Sequence, residues 1–412
     1  MKGVELLSLL ACISSGLASI LPSSQEPLAD SDIARHKLRL THDLVNFHKN
    51  LTQIESISGN EKEVGDWLAA SLESQGYNVE KQYLSKDPER FNVFAWPGKT
   101  RETQVLLTSH IDTVPPFLPY NYNKTNNVIF GRGSVDAKGS VAAQVIALNQ
   151  LLVDDKVSPD DVSVLYVVGE EVGGVGMRKA NDLKLHPKTV IFGEPTEEKL
   201  VSGHKGTMQM SFTAKGKSGH SGYPWLGRSA NEVLVRALSP LIDLGLELPE
   251  SDKYGISTFN LGRIEGGVAS NVIAESAFAN VAVRIASGTL EDIQKSVRNA
   301  VKHSLKEFLE GEIGLEDILE IDFGGNGYAP IDLDSDVPGF DVITVNYGTD
   351  IPWLNKTVED QKRYLYGPGT ILVAHSADEK LTVGQLEEAV EGYQKIVLHA
   401  LGKGESEAKI DL

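Results

Sequence analysis

Val105-Leu-Leu-Thr-Ser-His-Ile-Asp112 passes from a continuously apolar run straight into a histidine and a carboxylate. Short, uninterrupted apolar runs suit strands buried on both faces, as in a parallel sheet covered on both sides; a strand with one wet face alternates instead. The arrangement recurs three times. Val162–Val168 leads into Gly169-Glu170-Glu171, Thr189–Phe192 into Gly193-Glu194-Pro195, and Thr370–Ala374 into His375-Ser376-Ala377-Asp378. Each run is expected to be a strand, and each delivers a histidine or carboxylate at its carboxyl end, the edge at which open parallel sheets form their sites. Between the first two runs, the glycine-rich loop Gly131-Arg-Gly-Ser-Val-Asp-Ala-Lys-Gly139 sets Asp136 just ahead of an expected helix, Ser140–Leu152.

Outward from these runs, residues 35–57 read as a helix with Leu38, Leu40, Leu44, Val45, Phe47 and Leu51 near helical spacing. His36, His42 and His48 fall among its basic residues and are expected on a solvated face. A second helix, Asn60–Gln75, is closed by Gly76 and followed by an extended segment, Asn78–Tyr83. From about Lys205 the texture changes to strand (Met208–Ala214), helix (Ser229–Leu246), two strands (Ser257–Ile264 and Ala277–Ala286), helix (Leu290–Glu312) and strand (Ile318–Phe323). That β-α-β-β-α-β order is ferredoxin-like. Val342–Asn346, Thr370–Ala374 and a closing helix, Val383–Leu401, then return to the first texture. The expected fold class is α/β, a mostly parallel sheet sandwiched by helices with an inserted ferredoxin-like α+β domain. The expected divisions are a signal segment at 1–18, a polar leader at 19–34, the larger domain at 35–204 and 327–402, the insert at 205–326 and a polar tail at 403–412.

The chain has 412 residues, 41% hydrophobic and 23% charged, enough for two to three domains' worth of core. Its 39 Lys plus Arg against 57 Asp plus Glu leave a net charge of -18, the wrong sign for a nucleic-acid partner. The single cysteine, Cys12, excludes a disulfide framework, a thiolate zinc cluster and an iron–sulfur site, so any metal is held by histidine and carboxylate. Cys12 itself sits in a short apolar run, Leu6–Ala18, preceded by Lys2 and ending in small residues. This reads as a secretory signal cleaved near Ala18 and is too short to cross a membrane. Asn-x-Thr sequons at Asn50, Asn123 and Asn355 agree with a secreted, extracellular glycoprotein with no membrane anchor.

Two histidines and three carboxylates from the strand ends and the glycine-rich loop fit two divalent metals about 3.5–4 Å apart, with one carboxylate bridging. Imidazole without thiolate suits zinc, with cobalt or manganese as substitutes. Asp112, two residues beyond His110, is placed to orient the imidazole through its other ring nitrogen. In the neighbouring pair Glu170-Glu171, one carboxylate can bind metal while the other takes a proton from the water between the metals. Competing chemistries fail: Gly216-Lys217-Ser218 lacks the upstream glycine of a phosphate loop, and neither a GxSxG elbow nor an HExxH helix occurs.

Together SHIDTVP (Ser109–Pro115), GRGSVDAKG, the GEE of Gly169–Glu171, GEPT (Gly193–Thr196) and AHSADE (Ala374–Glu379) resemble the co-catalytic dizinc amidohydrolases. These include aminoacylase, acetylornithine deacetylase, succinyl-diaminopimelate desuccinylase and the Gly-X carboxypeptidases, and among them the chain most resembles secreted fungal carboxypeptidase-like members. The resemblance implies two Zn2+ per chain, with Asp136 bridging, His110 and Glu194 completing one shell, and Glu171 and His375 the other. Glu170 becomes the general base and Asp112 the orienting residue. In the insert, which corresponds to a lid, Gly219-His220-Ser221-Gly222 matches a histidine that polarises the scissile carbonyl, in several dimeric members from the partner subunit. Asn271 and Arg284 match positions that hold the substrate's carboxylate, and His204 near the hinge has no assigned role. The expected function is hydrolysis of the amide next to a free C-terminal carboxylate of small peptides, through a metal-bridged water and a Glu base. The alternatives are N-acyl amino acid deacylation by the same site, or a non-catalytic binding protein that kept the fold. A homodimer through the lid is a possible assembly.

Overall fold

In the computed structural model the described residues are 30–309 and 313–403, with side chains from Leu38 onward. The signal segment with Cys12, the leader before Asp30, the side chain of His36 and most of the expected tail lie outside them. Met1–Leu40 and Thr41–Leu412 are separate compact units, and the described residues of the first, 30–40, lie in the Asp30–Thr52 helix.

The second unit is built on a six-stranded sheet. In spatial order its strands are Asn78–Lys86, Glu89–Trp96, Val162–Val167, Val105–His110, Thr189–Gly193 and Lys362–Tyr366. Among the first three each neighbouring pair is antiparallel, and the last four are mutually parallel. The apolar runs are explained by the layers that cover each face. Val105, Leu107, Val162, Val164 and Tyr166 join one core with the helices Lys62–Ser74, Lys138–Val153 and Val383–Ala400. The alternate residues Leu106, Leu165 and Val167 join a second core with Met177, Val201 and Val345 on the other face. With both faces dry, a polar group along these strands is costly without a partner: Ser163 finds one in Thr103, whereas Thr108 Oγ1 and Tyr166 OH are buried with none among the described residues. Register then aligns the carboxyl ends: Val105 lies opposite both Val162 and Thr189, and Tyr366 opposite Gly193.

The insert forms a four-stranded antiparallel sheet in the order Thr258–Gly266, Ser276–Ile285, Gly206–Lys215, Leu319–Asp322. The helices Ala230–Glu247 and Leu290–Ser304 pack on one face around Met208, Phe212, Val233, Leu241, Val281 and Val297. Both helices start at a hydroxyl cap: Ser229 accepts from the Glu232 N–H, and Thr289 exchanges bonds with Asp292 in a capping box worth about 1 kcal/mol.

Several expectations are corrected. Thr370–Ala374 is not a strand but a turn of 3-10 helix at Ile371–Val373, with Leu372 83% exposed. The sheet takes Lys362-Arg-Tyr-Leu-Tyr366 instead, because Arg363 is buried with its guanidinium donating to the Gln361 side chain and to the carbonyls of Ile351 and Leu354. Val342–Val345 belongs to a separate three-stranded sheet with Leu200–His204 and Ile331–Asp332. The main sheet is mixed at one side, where the hairpin Asn78–Lys86/Glu89–Trp96 replaces a lone extended segment. The second insert helix ends at Ser304, well before Glu312. His48 is 0% exposed rather than solvated. The glycine-rich loop packs over it, its Nε2 lies 2.9 Å from the Ser134 carbonyl, and burial pushes its pKa down to about 4.

Candidate metal centre

Parallel register brings three strand ends together, and each side chain is fixed by the turn that leaves its strand. His110 closes the Val105–His110 strand and is 1% exposed. Its Nδ1 lies 3.0 Å from the Asp112 carbonyl and 3.5 Å from the Asp112 carboxylate, so the backbone, not the side chain, is the nearer orienting acceptor. The buried Asp112 carboxylate instead accepts from Ser58 Oγ (2.6 Å) and from the backbone N–H groups of Glu170 (3.1 Å) and Glu171 (3.3 Å). Asp112 therefore holds the turn that presents both glutamates.

The glycine-rich loop is pinned from below. The carboxylate of Glu379, paired to Arg132 at 2.6 Å, accepts from the N–H groups of Val135 (3.1 Å) and Asp136 (3.3 Å). Lys138 is buried and donates to the carbonyls of Leu51 and Ile54, and burial lowers its pKa to about 7. The two oxygens of Asp136 so fixed address two different histidines: Oδ1 lies 3.0 Å from His110 Nε2, and Oδ2 3.3 Å from His375 Nε2. Glu194 approaches His110 Nε2 at 3.8 Å, and Glu171 approaches His375 Nε2 at 3.1 Å. His375 reaches this position from a left-handed backbone conformation, φ +62, in the turn after Ile371–Val373.

The electrostatics match a cation site. Burial pushes Glu194 up to about 7 and raises Glu171, while burial and then the Asp350 carboxylate hold Glu170 well above the usual carboxylate range. Bonds to Asp136 and Glu171 draw His375 up to about 10. A carboxylate cluster this dense tolerates full ionisation only beside compensating positive charge. Ligand atoms of His110, Asp136 and Glu171 all fall within 4.8 Å of one another. Two imidazoles and three carboxylates without thiolate fit divalent zinc, cobalt or manganese.

The cluster lies in a cleft of about 490 Å³ whose opposite wall comes from the insert, including Gln209 and Arg284. The Arg284 side chain makes no hydrogen bond or ion pair among the described residues and lines the cleft. His220 and Asn271 do not line this cleft. They sit together on exposed insert loops, where Ser221 N–H donates to the Asn271 carbonyl, and His220 Nδ1 accepts from Gly222 N–H. His204 is a buried structural group between the Lys205 carbonyl and Thr349 Oγ1. Sequence reasoning missed Asp350, buried beside Glu170 with Oδ1 unpartnered, and Lys138. It also missed the supporting role of Glu379, although that residue stands inside the AHSADE segment.

Residues 202–308 match the profile of a peptidase dimerisation domain. A curated probable carboxypeptidase of Emericella nidulans is 46% identical, aligned over 97% of this chain and 99% of its own. Among solved structures, a Staphylococcus aureus tripeptidase superposes with a TM-score of 0.73 at 21% identity, covering 87% of this chain and 98% of its own. An M20 family metallo-carboxypeptidase from Sulfolobus solfataricus gives 0.68 at 16% identity, covering 87% and 99%.

Proposed function

The chain belongs to the M20 family of metallopeptidases and is a hydrolytic enzyme, and from that premise we propose that it is a secreted zinc carboxypeptidase acting on small peptides. The observation that carries the reading is the division of Asp136's two oxygens between His110 and His375, each with its own glutamate and with Glu170 beside them. His110 and Glu194 would hold one divalent ion, Glu171 and His375 the other, and Asp136 both. Such ions, when bound, supply a water acidified to near neutrality and a positive field for the scissile carbonyl. Glu170 accepts the proton of the attacking water on its carboxylate and returns it to the leaving amide nitrogen. Asp112 keeps Glu170 and Glu171 in register through their N–H groups, so base and ligand keep their spacing.

Arg284 takes the substrate's terminal carboxylate. On a chain of net charge -18, an anion needs a local cation, and the planar guanidinium pairs with it in two bonds. His220, outside its own chain's cleft, fits service to a second copy, in line with the dimerisation-domain match. The apolar run Leu6–Ala18 supports secretion, and the exposure of Asn123 and Asn355 supports glycosylation there.

The test is turnover by the zinc-loaded enzyme of a dipeptide panel, matched C-terminal amides and N-acetyl amino acids. Cleavage of free-acid peptides, with amides refused, is expected. Preference for N-acetyl amino acids would transfer the reading to a deacylase, and equal turnover of acid and amide would overturn carboxylate capture.

A further inference from the structure

Among the described residues, one face of the insert's sheet carries no helix. Along Gly206–Lys215 and Ser276–Ile285, Met208, Met210, Val281 and Val283 turn toward the helices, and Thr207, Gln209, Ser211, Asn280, Ala282 and Arg284 turn the other way. Gln209, Ala282 and Gly324 line the metal cleft and also a second cavity of about 340 Å³ that reaches Ser211, Asn280 and Asp322. The two cavities therefore adjoin across these three residues.

Strand register orders this groove. Arg284 lies opposite Thr207, Ala282 opposite Gln209, and Asn280 opposite Ser211, which also faces Asp322 on the edge strand. The Arg284 row is the closed end. There Thr207 bridges to Tyr328 where the insert joins the rest of the chain, and a Cβ on Gly348 would stand 3.5 Å from Arg284 Nη1. The Asn280 row lies toward the open end, four residues away along the strand, about 13 Å at the usual strand rise. A site that seizes a C-terminal carboxylate needs such a dead end for the carboxylate and an exit for the rest of the peptide. The exit offers exposed carboxamides, Gln209 and Asn280, each able to donate to and accept from a peptide backbone whatever its side chains. At the far end it offers the exposed carboxylate of Asp322.

We propose that this open strip of the insert sheet is an extended subsite for the amino-terminal side of the substrate, so that the preferred substrates are oligopeptides of about three to five residues rather than dipeptides. Gln209, Ser211 and Asn280 hold the peptide backbone, and Asp322 attracts the free α-ammonium of a chain long enough to reach it. The proposal rests on the carboxypeptidase reading above.

The zinc-loaded enzyme is assayed on Gly-Leu, Ala-Gly-Leu and Ala-Ala-Gly-Leu, the last also N-acetylated. Two or three new backbone hydrogen bonds predict a rise in kcat/KM of about tenfold from di- to tetrapeptide, carried mainly by KM. Asn280→Phe, which fills the groove, is expected to bring the tetrapeptide-to-dipeptide ratio within one enzyme close to unity. Ser211→Tyr gives the same readout from the neighbouring strand should the first variant fold poorly. Asp322→Asn, which keeps an acceptor for the Gly324 N–H (2.9 Å), is expected to erase the preference for the free over the N-acetylated tetrapeptide. Equal kcat/KM for di- and tetrapeptide in the parent enzyme, or a length ratio unmoved by both groove variants, would overturn the extended subsite while leaving the carboxypeptidase reading intact. Failure to cleave any of the peptides would overturn that reading itself.

Discussion

The main sheet and the insert sheet both contribute residues to the cleft, but they treat water in opposite ways. At the edge of the main sheet, His110, Asp112, Asp136 and Glu194 are buried, and their backbone settings are fixed by Glu379, Lys138 and the paired strand ends. On the insert, Gln209, Asn280, His220 and Asn271 are exposed, and Arg284 is unpaired among the described residues. A buried charge must be compensated within the fold, so the first set is already arranged before substrate arrives. An exposed one costs little to leave alone, so the second set stands open to a partner that substrate or a second chain would supply. Under the proposed reading chemistry belongs to the main-sheet edge, where His375 alone among the five ligands is half exposed, and selection to the open insert.

Asp136→Ala tests the buried edge most severely, because in the proposed arrangement one carboxylate would serve both metal shells. Metal analysis of the purified variant is expected to show both ions lost and activity below detection; retention of full metal would break the dinuclear arrangement. Glu170→Gln separates chemistry from binding. Both ions stay, and turnover falls by about 10²–10⁴-fold, whereas Glu171→Gln loses metal. The reverse pattern would exchange the roles of the two glutamates.

On the open side, Arg284→Ala is expected to raise KM for free-acid peptides by roughly 100-fold with kcat less affected, in keeping with the loss of a charge-assisted pair. A fall in kcat alone would instead place Arg284 with the buried machinery.

The smallest effect concerns the packing beneath the metal loop. His48 has a folded pKa of about 4 against 6.5 in the unfolded chain, so the unfolded state binds the extra proton between those values. Its contribution is intact above pH 6.5 and is lost as pH falls toward 4, about 2 kcal/mol between pH 7 and 5. Urea denaturation at the two pH values should show a shallower decline for His48→Gln than for the parent. An identical decline would mean that His48 is already charged in the fold.

How far the sequence could be read depended on the environment of each segment. Val105–Thr108, Val162–Val168 and Thr189–Phe192 were legible as strands because both of their faces are dry, which fills them almost entirely with apolar residues. Lys362–Tyr366 was not, since Arg363 is buried only by virtue of acceptors from Ile351, Leu354 and Gln361, and a basic residue in isolation reads as surface. The apolar character of Thr370–Ala374 misled for the opposite reason: Leu372 stands in the open. His48 carried basic neighbours that pointed to solvent, and only the packing of the glycine-rich loop removes it from water.

By itself the sequence determined the inventory of donors, three parallel strands of the main sheet, the strand and helix order of the insert, and the exclusion of thiolate, serine and phosphate-loop chemistry, because these depend on residue type and local periodicity. Tertiary structure decided which atoms meet: that Asp136 divides its oxygens between two histidines, that Asp112 serves the glutamates more closely than the imidazole, that Asp350 crowds Glu170, and that His220 stands outside its own chain's cleft. Those distances depend on register and packing between segments far apart in the chain, and no local pattern encodes them.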